Sequence, residues 1–166
     1  EVRSFLQEQL VSAAKSFGQL DGIAGVATAG IAHGALLADR LGLPFIYIRS
    51  KAKAHGRQNQ IEGELKDGGR YLVIEDLIST GGSSLQAVEA LRQAGGKAVA
   101  TLALFTYGFD EAAAAFQRAD CPVATLSNYP ALLEEAVESG YITAAEQQML
   151  ADWRENPVAW SEQFEQ

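Results

Sequence analysis

Apolar positions along this chain follow two alternating rhythms. Residues 1–17 repeat apolar side chains every three or four positions, with Val2, Phe5, Leu6, Leu10, Ala13, Ala14 and Phe17 on one face, which predicts an amphipathic helix. A short apolar run, Ile23 to Ala27, then reads as a strand. Gly30 opens a small-residue helix through about Leu41, closed by Gly42, and Pro44 starts a second strand, Phe45 to Ile48. Residues 49–66 are polar and contain glycine, so they read as a long loop. Tyr71-Leu72-Val73-Ile74 is a continuous apolar run of the kind found in strands covered on both faces. A helix from about Ser83 to Ala94 turns Leu85, Val88 and Leu91 inward and stops at Gly95. Beyond it come a strand at 98–105, a helix at 110–118, a weak strand near 122–126, and a helix with Pro130 in its first turn that Gly140 ends. Thr143 and Glu146 carry the spacing of a capping box for a last helix bearing Leu150 and Trp153.

Strand–helix alternation predicts an α/β fold, a mostly parallel central sheet with helices on both faces. In such sheets ligands bind beyond the carboxyl ends of the strands, which directs attention to residues 27–30, 49–66 and 75–83. With 166 residues and no linker, repeat or low-complexity segment, the chain reads as one domain spanning 1–166. The helical rhythm starts at once, without an initiator Met or an N-cap residue, so the chain is expected to begin partway through a longer protein.

Composition narrows the chemistry. No apolar run reaches the roughly 18 residues of a membrane helix, and no signal-peptide pattern opens the chain. Cys121 is the sole cysteine, which rules out an intrachain disulfide and fits a reducing cytoplasm. The formal net charge of −8 argues against nucleic acid, whose binding runs on phosphate neutralisation. A small polyanion remains possible where cations are concentrated. Arg49, Lys51, Lys53 and Arg57 lie within nine residues, with His55 among them and no acid before Glu62.

The most informative segment follows the Tyr71 strand. Glu75 and Asp76 sit side by side at its end, two apolar residues (Leu77, Ile78) follow, and Ser79-Thr80-Gly81-Gly82-Ser83 leads into a helix. Glycines let backbone amides approach a phosphate, hydroxyls add donors, and the helix N-terminus adds unpaired N–H groups and a dipole. The carboxylates suit sugar hydroxyls or a hydrated cation. No Lys follows the glycines, so this is not a Walker A loop, and the glycine spacing is wrong for a dinucleotide fingerprint.

Val73 to Ser84 resembles the phosphoribosyl pyrophosphate signature of type I phosphoribosyltransferases. The resemblance implies that Glu75 and Asp76 hold the ribose hydroxyls, and that Ser79 to Ser83 bind the 5′-phosphate. The motif does not choose the base. Arg49-Ser50-Lys51-Ala52-Lys53-Ala54-His55-Gly56, followed by Gln60 to Gly63, is similar to the mobile catalytic loop of orotate phosphoribosyltransferases, and Gly25 to Ala32 resembles their pyrophosphate loop. Thr106-Tyr107-Gly108 fits one bacterial branch. The likeness spans nearly the whole chain. It implies transfer of a phosphoribosyl group to orotate, with Mg²⁺ held mainly by substrate and water rather than by a protein cage. Phosphoribosyl pyrophosphate would be bound by Arg49, Lys51, Lys53, His55 and residues 75–83, and pyrophosphate by Ala27, Thr28, Ala29 and Gly30. Lys53, His55 and Asp76 would be catalytic. The likeness further implies a homodimer with shared sites.

Departures from the family pattern accompany the match. Ser50 and Ala29 stand where some relatives have lysine, and Tyr107 where some have an arginine that grips orotate, leaving Ser79 as the orotate contact. No segment matches the family's N-terminal hood, which is expected to be missing from the chain. Two other functions share the signature, a purine phosphoribosyltransferase and a non-catalytic nucleotide sensor. Trp153, Trp160 and Cys121 read as packing residues, and His33 as a structural hydrogen-bonding residue.

Overall fold

A computed structural model describes residues 1–50 and 60–162. In chain order the elements are α1 (Val2–Ala14, continued by a 3₁₀ turn at Lys15–Phe17), β1 (Gly22–Val26), α2 (Gly30–Leu41), β2 (Phe45–Ile48), β3 (Ile61–Glu62), β4 (Arg70–Ile78), α3 (Gly82–Gln93), β5 (Lys97–Thr106), α4 (Asp110–Arg118), β6 (Val123–Asn128), α5 (Tyr129–Glu138), α6 (Ala144–Glu155) and α7 (Pro157–Glu162). The strands form one sheet in the order β3-β2-β1-β4-β5-β6. Every pairing is parallel except that of β3 with β2.

The apolar run of β4 is buried on both sides because successive side chains point to opposite faces. Tyr71 and Val73 pack with Val88 and Leu91 of α3 and Phe116 of α4. Leu72 and Ile74 pack with Leu10 of α1 and Leu37 of α2. The expected mostly parallel sheet with helices on both faces is therefore the observed one.

Four local readings change. Residues 49–66 are not all loop, since Ile61 and Glu62 pair with Ile48 and Tyr47 as a two-residue edge strand. The Tyr71 strand runs four residues past Ile74, so Glu75 and Asp76 lie within β4 rather than in a turn after it. A further short helix, α7, follows α6. The apolar stripe of α1 is only half used: Leu10 and Ala14 are buried, while Val2 and Phe5 are 73% and 58% exposed. Sequence rhythm fixes which face of a helix is apolar, but not how far the surface beneath it extends.

Two glycines shape the ends of α2 by different means. Gly42 caps it in the left-handed conformation at φ 64, with open space where a Cβ would stand. Gly30 begins it so close to β4 that a Cβ would collide with the Ile74 carbonyl oxygen. Gly42→Ala is expected to cost about 1 kcal/mol through backbone strain alone. Gly30→Ala is expected to lose more, towards the upper end of the ~1–3 kcal/mol typical of overpacking, because a backbone carbonyl cannot rotate away. Urea unfolding of both variants checks the order, and a Gly30→Ala protein as stable as wild type would contradict the close approach.

Candidate active site

The carboxyl ends of β1, β4 and β5 converge. Ala27 N–H, just past β1, donates to the Ile48 carbonyl at 2.8 Å, and Ile31 N–H donates to the Thr28 carbonyl at 3.2 Å. The Ala27–Thr28 peptide is cis. Gly30 lies directly over the backbone of Ile74 and Glu75. The turn from Ala27 through Thr28 and Ala29 thus ends, at Gly30, beside the first of the two acids.

Strand alternation separates the two acids. Glu75 shares the face of Tyr71 and Val73 and is 4% exposed. Its Oε2 accepts from Ser83 Oγ at 3.2 Å and Ser84 Oγ at 3.1 Å, and its Oε1 accepts from Asp76 N–H at 3.2 Å. Burial pushes the Glu75 carboxyl up to about 7, with Asp76 beside it adding to the rise and the Ser84 hydroxyl and Asp76 N–H partly opposing it. Asp76, next along the strand, turns to the other face and is half-buried. Among the described residues neither acid joins an ion pair.

Ser79, Thr80 and Gly81 form the turn into α3. Gly81 takes φ 83 and no side chain caps the helix, so its first N–H groups are not claimed by a cap. A Cβ on Gly81 would stand 2.9 Å from the Phe116 ring, so α4 supports the turn from behind. Leu77 is 37% exposed and Ile78 only 3%, so Ile78 offers no side chain to a ligand. The Ile78 carbonyl is already used, accepting from Thr106 Oγ1 at 3.2 Å and Tyr107 N–H at 3.1 Å. These bonds fasten the end of β5 to the end of β4.

On the other side, Arg49 N–H donates to the Gln60 carbonyl at 2.8 Å, and its guanidinium lies 3.6 Å from the Glu62 carboxylate. Lys51, Lys53 and His55 lie outside the described residues. The hydrogen bond expected of His33 is not formed with any described residue, whereas Cys121 is buried against Thr101 at 3.6 Å as a packing residue.

The sequence reading missed the surroundings of Ser79. Tyr107 contacts Phe109, Tyr129 and Trp153 with ring centroids 5.6 Å away in each case. Trp153 is the packing residue expected, but it also lines a cleft of about 650 Å³ together with Ser79 and Thr80. Arg154, adjacent in sequence, donates from Nε to the Tyr107 carbonyl and from Nη2 to the Gly108 carbonyl, both at 2.8 Å. No local sequence signal marks Arg154, because its partners are backbone atoms 46 and 47 residues away.

Among the described residues no group of three or more His, Cys, Asp or Glu side chains could hold a metal. Asp76 fits a different arrangement, since Mg²⁺ keeps several waters and takes one or two carboxylates alongside ligand phosphates.

The phosphoribosyl transferase domain family model matches residues 6–128. Orotate phosphoribosyltransferase of Bacteroides thetaiotaomicron is 54% identical over 144 residues, covering 87% of this chain and 68% of that protein. Its counterpart from Porphyromonas gingivalis is 47% identical over 161 residues, 96% of this chain and 77% of that protein. Among solved structures, orotate phosphoribosyltransferase from Aeropyrum pernix superposes with a TM-score of 0.73 at 29% identity, covering 80% of this chain and 75% of its own. Leishmania donovani UMP synthase does so at 0.76 and 25% identity, covering 90% of this chain and 32% of its own. With the family model over residues 6–128 and relatives near 50% identity matched over most of their own length, the chain belongs to the phosphoribosyltransferase family and, within it, to the orotate phosphoribosyltransferases.

Proposed function

We infer that residues 75–83 seat the phosphoribosyl half of the substrate in the reaction this family performs. The chain transfers the phosphoribosyl group of phosphoribosyl pyrophosphate to orotate, giving orotidine 5′-monophosphate and pyrophosphate in pyrimidine biosynthesis. The observation that carries the site assignment is the approach of strand ends that brings the half-buried Asp76 carboxylate, an uncapped helix N-terminus and the end of the Ala27–Gly30 turn together.

In this reading the N–H groups and hydroxyls of Ser79 to Ser83 hold the 5′-phosphate, Asp76 faces the ribose, and Ala27 to Gly30 line the pyrophosphate. Phosphoribosyltransferases generally use Mg²⁺ with their phosphoribosyl donor, and here the ion would offset the charge of the departing pyrophosphate. Asp76 and substrate oxygens would hold it. The protein supplies further cations on Arg49, Lys51, Lys53 and His55, whose effect grows once water is excluded. As the bond from C1 to pyrophosphate loosens, the sugar becomes cationic, and Asp76 stabilises it while orotate nitrogen attacks from the opposite side. No helix among the described residues is long and apolar enough to cross a membrane. A cytoplasmic homodimer with shared sites fits this reading.

Assayed with phosphoribosyl pyrophosphate and Mg²⁺, the protein is expected to convert orotate and to leave adenine, hypoxanthine and xanthine untouched. Turnover of a purine, or nucleotide binding without turnover, would refute the assignment. Lys53→Ala is expected to lower turnover by roughly 100-fold, the scale of losing one transition-state electrostatic partner. A variant with wild-type turnover would remove Lys53 from the catalytic set.

Glu75 gives a stability prediction. Its folded-state value of about 7 lies above the ordinary 4.5, so the folded protein holds this proton more tightly than the unfolded chain does. The resulting stabilisation is fully present below 4.5 and is lost as pH rises through about 7. Glu75→Gln keeps an acceptor for Ser83 and Ser84 but cannot ionise. Its unfolding midpoint is expected to fall less than that of wild type over the same pH range, and parallel curves for the two proteins would exclude Glu75 as the titrating group.

A further inference from the structure

We propose that Arg154, which lines the cleft bordered by Ser79 and Tyr107, is the residue that selects an anionic planar base there. The proposal rests on the orotate reading above and assigns a residue to its base specificity.

The cleft encloses about 650 Å³, within the ~300–1,000 Å³ usual for small-ligand sites. One wall is Ser79 and Thr80, the start of the turn assigned to the 5′-phosphate. Tyr107, Phe109, Trp153 and Arg154 line it as well, all partly accessible. A ligand that fills it therefore meets both the phosphate turn and aromatic rings. That matches a flat ring joined to a phosphorylated sugar.

Arg154 is held ready rather than used up. A guanidinium carries five N–H donors. Two of them meet the carbonyls of Tyr107 and Gly108, and this fork fixes the plane of the group across the end of β5. Carbonyl oxygens are dipoles, so the positive charge stays uncancelled. Of the remaining edge, formed by Nη1 and the second proton of Nη2, Nη1 lies 3.7 Å from the exposed Glu155 carboxylate, the one ion pair that Arg154 makes among the described residues. That pair is beyond hydrogen-bond length, and an exposed ion pair is worth little. A free two-donor edge matches the two oxygens of a carboxylate.

The rest of the rim argues for a lightly charged ligand. Asp110, Glu111 and Glu155 border the cleft and are all exposed. A multiply charged phosphate would be repelled there, whereas a single carboxylate on a planar ring needs only the Arg154 edge. A neutral ring would gain nothing from it. The orotate carboxylate meets this description, and the purine bases do not.

The test compares a base with and without its carboxylate. With wild type, Arg154→Met and Arg154→Lys, one measures KM for orotate, KM for phosphoribosyl pyrophosphate, and the inhibition constant of uracil against orotate. Arg154→Met is expected to raise KM for orotate by about 10- to 100-fold, the scale of losing a charge-assisted hydrogen bond. The uracil constant and KM for phosphoribosyl pyrophosphate should rise by clearly less than KM for orotate, because loss of the carbonyl fork touches every ligand whereas loss of the charge touches only the carboxylate. Arg154→Lys should recover part of the loss, because it keeps the charge without the fork. Glu155→Gln gives an independent arm, since removing the one nearby acid is expected to lower KM for orotate while leaving the carbonyl fork intact. If Arg154→Met weakens orotate and uracil equally, Arg154 merely braces the loop and the proposal fails. It fails as well if KM for orotate is unchanged in both Arg154→Met and Glu155→Gln. Absence of orotidine 5′-monophosphate with wild type would instead overturn the functional reading beneath it, and the proposal with it.

Discussion

The site is organised around one buried carboxylate. Glu75 is almost wholly shielded from water, yet it sits in a strand whose preceding four residues are apolar and buried. A carboxylate in that position is tolerated only if polar partners come from elsewhere. They come from Ser83 and Ser84, in the first turn of the helix that follows. The same two bonds fix where α3 begins relative to β4, and so fix the curvature of the Ser79–Gly81 turn between them. The need to satisfy Glu75 and the shape of the phosphate seat are therefore one requirement.

A second set of bonds extends that order sideways. The Ile78 carbonyl accepts from both Thr106 and Tyr107, which prevents the ends of β4 and β5 from separating. Thr106 Oγ1 also accepts from Gly108 N–H at 3.0 Å, and Arg154 takes the carbonyls of Tyr107 and Gly108. The backbone after β5 is thus secured from both sides, by the sheet and by α6. A residue placed on this loop keeps its distance to Ser79, which a discriminating pocket requires.

Much of this was legible in the sequence where the signal was local. The apolar runs of β1 and β2, the Gly30–Leu41 and Asp110–Arg118 helices, and the Thr143–Glu146 capping box all depend on neighbours within a few residues. The acid pair and the glycine-rich turn were visible because their chemistry is concentrated in one stretch. Three features were not legible, and each depends on distant partners. The apolar run that marks β4 stops at Ile74, and its continuation through the acids to Ile78 depends on serines eight and nine residues beyond Glu75 that hydrogen-bond its carboxylate. Strand β3 spans two residues and exists only through its pairing with β2. Arg154 has no sequence neighbour that explains it, since its acceptors lie on another strand's exit loop.

The short β2–β3 pairing also bears on the basic segment. Arg49 and Gln60, which flank residues 51–59 in sequence, are joined through the backbone at 2.8 Å. The two ends of the segment that carries Lys51, Lys53 and Arg57 are therefore held together at one edge of the sheet. In a chain of net charge −8, so many cations on one short stretch of sequence oppose the sign of the whole, and added salt should weaken long-range repulsion of an anion more than it weakens capture at short range.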